Sequence, residues 1–346
     1  MSETKARLDY LDIAKCLTII LVIMGHVAGN VDDPFYRCVI YYFHMPLFFI
    51  VSGIVTKKRD VVYDKQHYID FIKKNIYILL IPCLIWALVY SKFSWKNIPY
   101  ILYGSWQTLG KAETLTSLWY LPCLFLARLW MELIVGLIDR YPKVNKNIIL
   151  LVATIISFTL GFCLPQLELG YPFGLNISFV GLGFMIIGYA NKGAVERFQS
   201  KGILFHVIKL IACLAIFIFG VTYEEKITLV LMCGSQYGNI ALFLLNAISG
   251  VAVIFSISAL ITKKWNIDET NPFKNIILWI GKNTIGIFLI HKPLLQEIIV
   301  PIFTNLGMST FDVKMAFLAM LIDLPLSCLI VHIINKYTPR LFGRLN

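Results

Sequence analysis

Three of the six histidines in this 346-residue sequence stand towards the outer ends of long apolar runs. His26 follows Leu17 to Met24, His44 lies within Tyr41 to Phe49, and His291 ends Phe288-Leu289-Ile290. A neutral imidazole can accept a proton near pH 7, so each is a candidate general base for activating a hydroxyl. The first run also holds Asp12 and Lys15. On a helix, steps of about 100° put Lys15 and His26 within about 20° of one face, with Asp12 about 40–60° from both. At 1.5 Å per residue Lys15 and His26 are about 16 Å apart along the axis, so the stripe cannot act as one cluster. Asp12 and Lys15 have the i,i+3 spacing of an ion pair. An ionisable group within a membrane span costs roughly 2.5–3.5 kcal/mol to insert and points to function by default. Metal binding is the other use of three histidines, but no two share a helix at i,i+4 spacing, so the reading is metal-free.

Other polar residues in apolar runs read more structurally. Arg128 and Glu132 have i,i+4 spacing and suit a pair. Asp323 has no local partner; Lys282 or Lys292 could supply one. Trp119, in Ser117-Leu118-Trp119-Tyr120-Leu121-Pro122, suits an interfacial aromatic belt, with a sugar-stacking platform as the alternative.

These residues need elements to hold them, and the composition says which. The chain is 58% hydrophobic and 15% charged, with a mean hydropathy of +0.74. Soluble domains carry roughly 25% charged residues, so a soluble enzyme is excluded. Apolar runs near the ~20 residues of a spanning helix recur along the chain. Ten spans are expected, at about 11–29, 36–56, 71–91, 117–138, 147–164, 173–190, 203–220, 239–262, 276–297 and 315–336. The fold class is therefore an all-α integral membrane bundle, read as one membrane domain over 1–346. The stretch 98–110, with Pro99, Gly104 and Gly110, is too short to span and reads as interfacial or re-entrant; 226–233 is similar. With the N-terminus inside, the inner loops and edges hold 20 of the 31 lysines and arginines and the outer ones six, which supports an N-in, C-in topology. The same asymmetry accounts for the net charge of +11 without nucleic acid, for which no compact basic and aromatic surface is evident. The eight cysteines form no C-x-x-C pair and read as packing residues. No cleavage site follows the first run, which is expected to remain as a helix.

Four segments together resemble acyltransferase family 3, integral-membrane acyltransferases of surface carbohydrates, and most of all its fucose 4-O-acetylase-like branch. They are Leu11-Asp12-Ile13-Ala14-Lys15 through Gly25-His26, Phe43-His44-Met45-Pro46-Leu47-Phe48-Phe49-Ile50-Val51-Ser52-Gly53, Leu118-Trp119-Tyr120-Leu121-Pro122-Cys123-Leu124-Phe125, and Gly281-Lys282-Asn283-Thr284-Ile285-Gly286-Ile287-Phe288-Leu289-Ile290-His291. The resemblance implies a cytoplasmic acyl-CoA donor, most simply acetyl-CoA, and a carbohydrate hydroxyl as acceptor. It makes His26 the essential base. Lys15 stands where relatives often have arginine, keeping the charge but not the planar fork. Relatives often carry two arginines three apart before a proline at the start of the third span; here Lys73-Lys74 precede Pro82, and that motif is not met. Lys73 and Lys74 could still attract CoA phosphates as point charges.

The expected activity is thus membrane O-acyl transfer, most simply O-acetyl transfer, with O-succinyl transfer as an alternative. His26, Lys15, His44 and Asp12 are the catalytic candidates. Lys15, Lys73 and Lys74 are the donor-binding candidates, and His291, Trp119 and Asn283 the acceptor-binding ones. The partners expected are a glycolipid or polysaccharide acceptor and the bilayer of a bacterial cytoplasmic membrane. A transporter or flippase of a glycan intermediate has the same general composition, but no pair of half-repeats with broken helices supports it. A structural factor in envelope assembly, with packing histidines only, is a third reading.

Overall fold

The computed structural model describes residues 3–27, 34–57, 63–111, 113–223, 229–265, 272–309 and 312–344. Lys58, Arg59 and Lys226, which enter the charge asymmetry, lie outside them, as do the side chains of Lys5 and Arg7. So do residues 226–228 of the stretch 226–233; the rest of it makes one isolated bridge, from Leu231 to Gln236, and enters a short turn at Met232–Gly234.

Among the described residues the protein is helical. In chain order the helices are α1 (Glu3–Gly25), α2 (Phe35–Tyr41), α3 (His44–Val55), α4 (Lys65–Asn75), α5 (Ile81–Tyr90), α6 (Ile98–Tyr103), α7 (Trp106–Lys111), α8 (Tyr120–Arg140) and α9 (Lys146–Cys163). They continue as α10 (Leu175–Ala190), α11 (Lys192–Ser200), α12 (Ile203–Thr222), α13 (Ile240–Lys264), α14 (Pro272–Lys282), α15 (Thr284–Leu294), α16 (Val300–Asn305) and α17 (Val313–Tyr337). Nine stretches of the described residues are helical, long and apolar enough to cross a bilayer: Phe35–Val55, Lys65–Tyr90, Leu115–Arg140, Lys146–Cys163, Pro172–Ala190, Ile203–Thr222, Ile240–Lys264, Thr284–Asn305 and Val313–Tyr337. The tenth expected span is α1. Its 23 residues measure about 35 Å, but Asp9, Asp12 and Lys15 lower its hydropathy. It is nevertheless buried on nearly every side, from Tyr10 and Leu11 to Val22 and Ile23. A helix that is buried all round belongs in the interior of a bundle.

Two expected spans are broken. The second divides at Tyr42-Phe43 into α2 and α3. The ninth, expected at 276–297, breaks at Asn283; α14 ends before it and the spanning stretch starts at Thr284. Asn283 donates from Nδ2 to the Trp279 carbonyl at 2.7 Å, a side-chain bond that competes with continuation of the helix. Further on, Pro293 lacks an N–H, and a π-helical turn at Leu295–Ile299 follows it. Residues 98–110 form the short helices α6 and α7, neither long enough to span.

The chain forms two compact units. The first comprises Met1–Phe48, Gly193–Leu231 and Gln236–Ile333; the second comprises Phe49–Lys192, Met232–Ser235 and Ile334–Asn346. Within the first, α12 carries bare apolar side chains, Leu204 and Ile211 being 72% and 63% exposed. Within the second, α9 does the same with Leu151 at 61% and Ile155 at 57%. Contiguous apolar surface of this kind marks contact with lipid. In the second unit α3 and α10 approach backbone to backbone: a Cβ on Gly53 would lie 1.9 Å from the Met185 oxygen, and one on Gly188 would lie 2.1 Å from the Ile50 oxygen. Small residues at such a crossing let membrane helices pack closely. All eight cysteines are free; Cys163 is exposed rather than packed.

Candidate active site

In the first unit, α1 ends at Gly25, and the amide of His26 still bonds to the carbonyls of Val22 and Ile23 at 3.2 and 3.1 Å. His26 therefore stands on the last turn, half-buried. Gly25 has a specific reason to lack a side chain: a Cβ there would meet the Tyr41 ring at 2.9 Å. The close approach lets the Tyr41 hydroxyl donate to the Gly25 carbonyl at 3.5 Å and sets the Tyr41 ring edge-on to His26, with centroids 6.4 Å apart.

The α14–α15 segment runs alongside α1 in the same direction. Gly281 of α14 meets the Asp12 backbone so closely that a Cβ would lie 2.0 Å from the Asp12 oxygen. Ten residues on, α15 brings His291 to His26. His26 Nδ1 and His291 Nε2 are 2.9 Å apart, with the ring centroids 5.1 Å apart and 20° between the ring planes. His291 is fully buried, and its Nδ1 lies 2.9 Å from the Phe288 carbonyl and 3.2 Å from that of Ile287. His44 is also buried, donates from Nδ1 to the Ile40 carbonyl at 2.9 Å, and packs on Tyr41 at 4.7 Å. The Arg37 guanidinium lies over the other part of this aromatic group, 4.9 Å from the Tyr41 centroid. Lys292, His44 and Arg37 are all within electrostatic reach of His26.

Of the other expected site residues in this unit, Lys15 and Asp12 form their ion pair at 2.6 Å, with Asp12 nearly buried and the Lys15 side chain 24% exposed. Asn283 is buried at the break before α15 and spends its amide on Trp279. Asp323 is buried, with Ser327 donating to its Oδ1 at 3.0 Å and no partner for Oδ2 among the described residues.

The second unit holds a cavity of about 390 Å³ lined by Ser52, Thr56, Lys57, Arg128, Glu132 and Met185 among others. Asp64 caps α4 by accepting from the His67 amide at 2.8 Å, which fixes His67 on the first turn. His67 Nε2 then meets Glu132 Oε1 at 2.8 Å, a partner that the i,i+4 pairing with Arg128 did not foresee. Lys73 and Lys74 lie exposed on α4, and the cations that line the cavity are Lys57 and Arg128 instead. The volume is that of a small-molecule site, and two cations beside a paired carboxylate suit an anionic ligand. Trp119 is 7% exposed and packs edge-on to Tyr120. It is buried in the protein, so it does not form part of a lipid-facing belt. Among the described residues no group of three His, Cys, Asp or Glu side chains is placed to hold a metal ion.

A helical membrane bundle with a hydrogen-bonded histidine pair at the end of a helix buried on nearly every side defines a class: a polytopic protein built to act on a ligand at the membrane. The chain belongs to acyltransferase family 3, whose acyltransferase domain matches residues 8–334. It is a multi-pass membrane acyltransferase. A curated relative, nodulation protein NolL of Sinorhizobium fredii (strain NBRC 101917 / NGR234), is 24% identical over 297 residues, covering 81% of this chain and 76% of that one. No solved structure matches the chain.

Proposed function

We propose that the protein transfers an acetyl group from acetyl-CoA to a hydroxyl of a lipid-linked or polymeric carbohydrate at a bacterial cytoplasmic membrane, with both termini on the cytoplasmic side. The observation that carries the reading is the 2.9 Å contact between His26 and His291, which holds one half-buried imidazole ready as a base at the end of α1. Nε2 of His26 takes the proton of the acceptor hydroxyl. The oxygen attacks the thioester carbonyl carbon, and the tetrahedral oxyanion collapses by breaking the C–S bond. The proton passes from His26 to the leaving thiolate, so the base is restored. Arg37 and Lys292 supply positive potential while negative charge develops. His44 holds Tyr41 beside the base.

On the donor side, Lys57 and Arg128 in the cavity of the second unit suit the phosphates of the acyl-CoA, with the exposed Lys73 and Lys74 attracting them from solution. Lys15, held by Asp12, adds a charge within the span. Trp119 and Asn283 act by shaping the bundle.

The test supplies radiolabelled acetyl-CoA to inverted vesicles containing the protein and its native acceptors. Alkali-labile label in glycolipid or polysaccharide is the expected result. Label from succinyl-CoA alone would move the donor, and movement of unmodified glycan without any acyl-CoA would replace the enzyme by a transporter.

A further inference from the structure

We propose that His291 is the positioning residue of this reaction, fixing the tautomer of His26 so that the lone pair of the base stands on Nε2. The inference rests on the reading of His26 as the general base. Its argument is one of donors and acceptors. A carbonyl oxygen can only accept, and Nδ1 of His291 faces two of them, those of Phe288 and Ile287, at 2.9 and 3.2 Å. That nitrogen must therefore carry the proton. A neutral imidazole carries only one, so Nε2 of His291 is an acceptor. Nε2 lies 2.9 Å from Nδ1 of His26, which must in turn donate. The remaining ring nitrogen of His26, Nε2, is then left with its lone pair, and among the described residues no polar atom bonds to it.

The backbone of α15 thus sets the chemistry of a side chain 265 positions away in sequence. Full burial of His291 and the small angle between the two ring planes, which keeps the shared bond in line, hold this order of donors. If the wiring were inverted, with Nε2–H of His291 donating to His26, the proton of a neutral His26 would sit on Nε2 and the base would be lost. During transfer His26 takes the hydroxyl proton on Nε2 and becomes an imidazolium. Its Nδ1–H bond to the neutral His291 becomes charge-assisted and strengthens. His291 gains no proton, and His26 returns its own to the thiolate. His44 has the same bond from Nδ1 to a backbone carbonyl, but among the described residues it makes no hydrogen bond to His26, so it does not set the tautomer.

Two amide substitutions separate positioning from packing. In His291→Gln the amide oxygen can reach the place of Nε2 and accept from Nδ1–H of His26. In His291→Asn the shorter amide reaches only the place of Nδ1 and leaves His26 free to take either tautomer. With purified protein in nanodiscs, the Asn variant is expected to lose about 100-fold in kcat, with KM for acetyl-CoA within about threefold of the wild type. The Gln variant is expected to stay within about tenfold of the wild type in kcat. Nitrogen-15 NMR of histidine-labelled wild-type protein, with His26 identified by the signal lost in His26→Gln, should show a protonated Nδ1 and a bare Nε2. Equal activity of the two amide variants, or a protonated Nε2 on neutral His26, overturns the proposal. The NMR result stands without turnover. A wild-type protein that transfers nothing from any acyl-CoA would therefore count against the function while the tautomer is decided separately.

Discussion

Replacing Lys15 by Ala leaves Asp12 without its partner at 2.6 Å, with its side chain only 7% exposed. Leaving one charge of a buried pair uncompensated costs about 3–5 kcal/mol. Replacing Asp12 instead leaves a lysine that is 24% exposed, whose long stem can carry its ammonium group to water. That loss is about 1.5–3 kcal/mol, the range of one hydrogen bond to a charged group. The double variant removes both charges, and its cost should fall back to about that of Asp12→Ala. The coupling, the cost of the double variant less the sum of the two singles, is then about −3 to −5 kcal/mol, at or above the upper end for residues in direct contact. Unfolding of the three variants by SDS titration in mixed micelles measures it. Acetyl transfer on the same samples separates structure from chemistry: the double variant should regain stability but not activity, and on the proposal that Lys15 serves the donor its KM for acetyl-CoA should rise at least tenfold. Lys15→Arg keeps the charge and should keep both properties. Strictly additive stability losses would refute the electrostatic reasoning, and full activity in the double variant would reduce Lys15 to an insertion aid.

Further outcomes follow from packing and from the cavity. Gly53→Ala and Gly188→Ala each force apart the same crossing of α3 and α10, where the added carbon would lie 1.9 or 2.1 Å from a backbone oxygen; each should cost about 1–3 kcal/mol, and the double variant little more than either, as read by SDS titration. Arg128→Ala should raise KM for acetyl-CoA about tenfold with kcat little changed, as expected when a contact binds ground state and transition state alike; a drop in kcat at constant KM would move Arg128 from binding to catalysis.

The membrane helices were legible because runs of about 20 apolar residues have few other fates. Their interruptions were less so. At Gly281-Lys282-Asn283-Thr284 the chain breaks between α14 and α15, yet apolar residues on both sides average the break away, and the span was placed across it. The division at Tyr42-Phe43 falls between residues that are apolar or aromatic and give no local signal. His26 and His291 were both expected in the outer half of their spans, and their contact puts the two at one level of the bundle. That contact was not readable, because helical periodicity fixes the face of one helix but not the neighbour that meets it. The i,i+3 pair of Asp12 and Lys15 was readable because one helix contains both partners. Glu132 also meets a partner that no local spacing names: His67, from another helix, lies 2.8 Å away. Trp119 was assigned to a lipid interface on residue type alone, and its burial depends on helices that its own segment does not specify.

The most direct test of the account compares wild-type protein with His26→Ala, both shown to be folded by their SDS-unfolding curves, in nanodiscs with acetyl-CoA and a native glycolipid acceptor. The account predicts a fall in acetyl transfer of about 10²–10⁴-fold, the range of a general base, with acetyl-CoA still bound. Transfer by His26→Ala within about twofold of the wild type would contradict it.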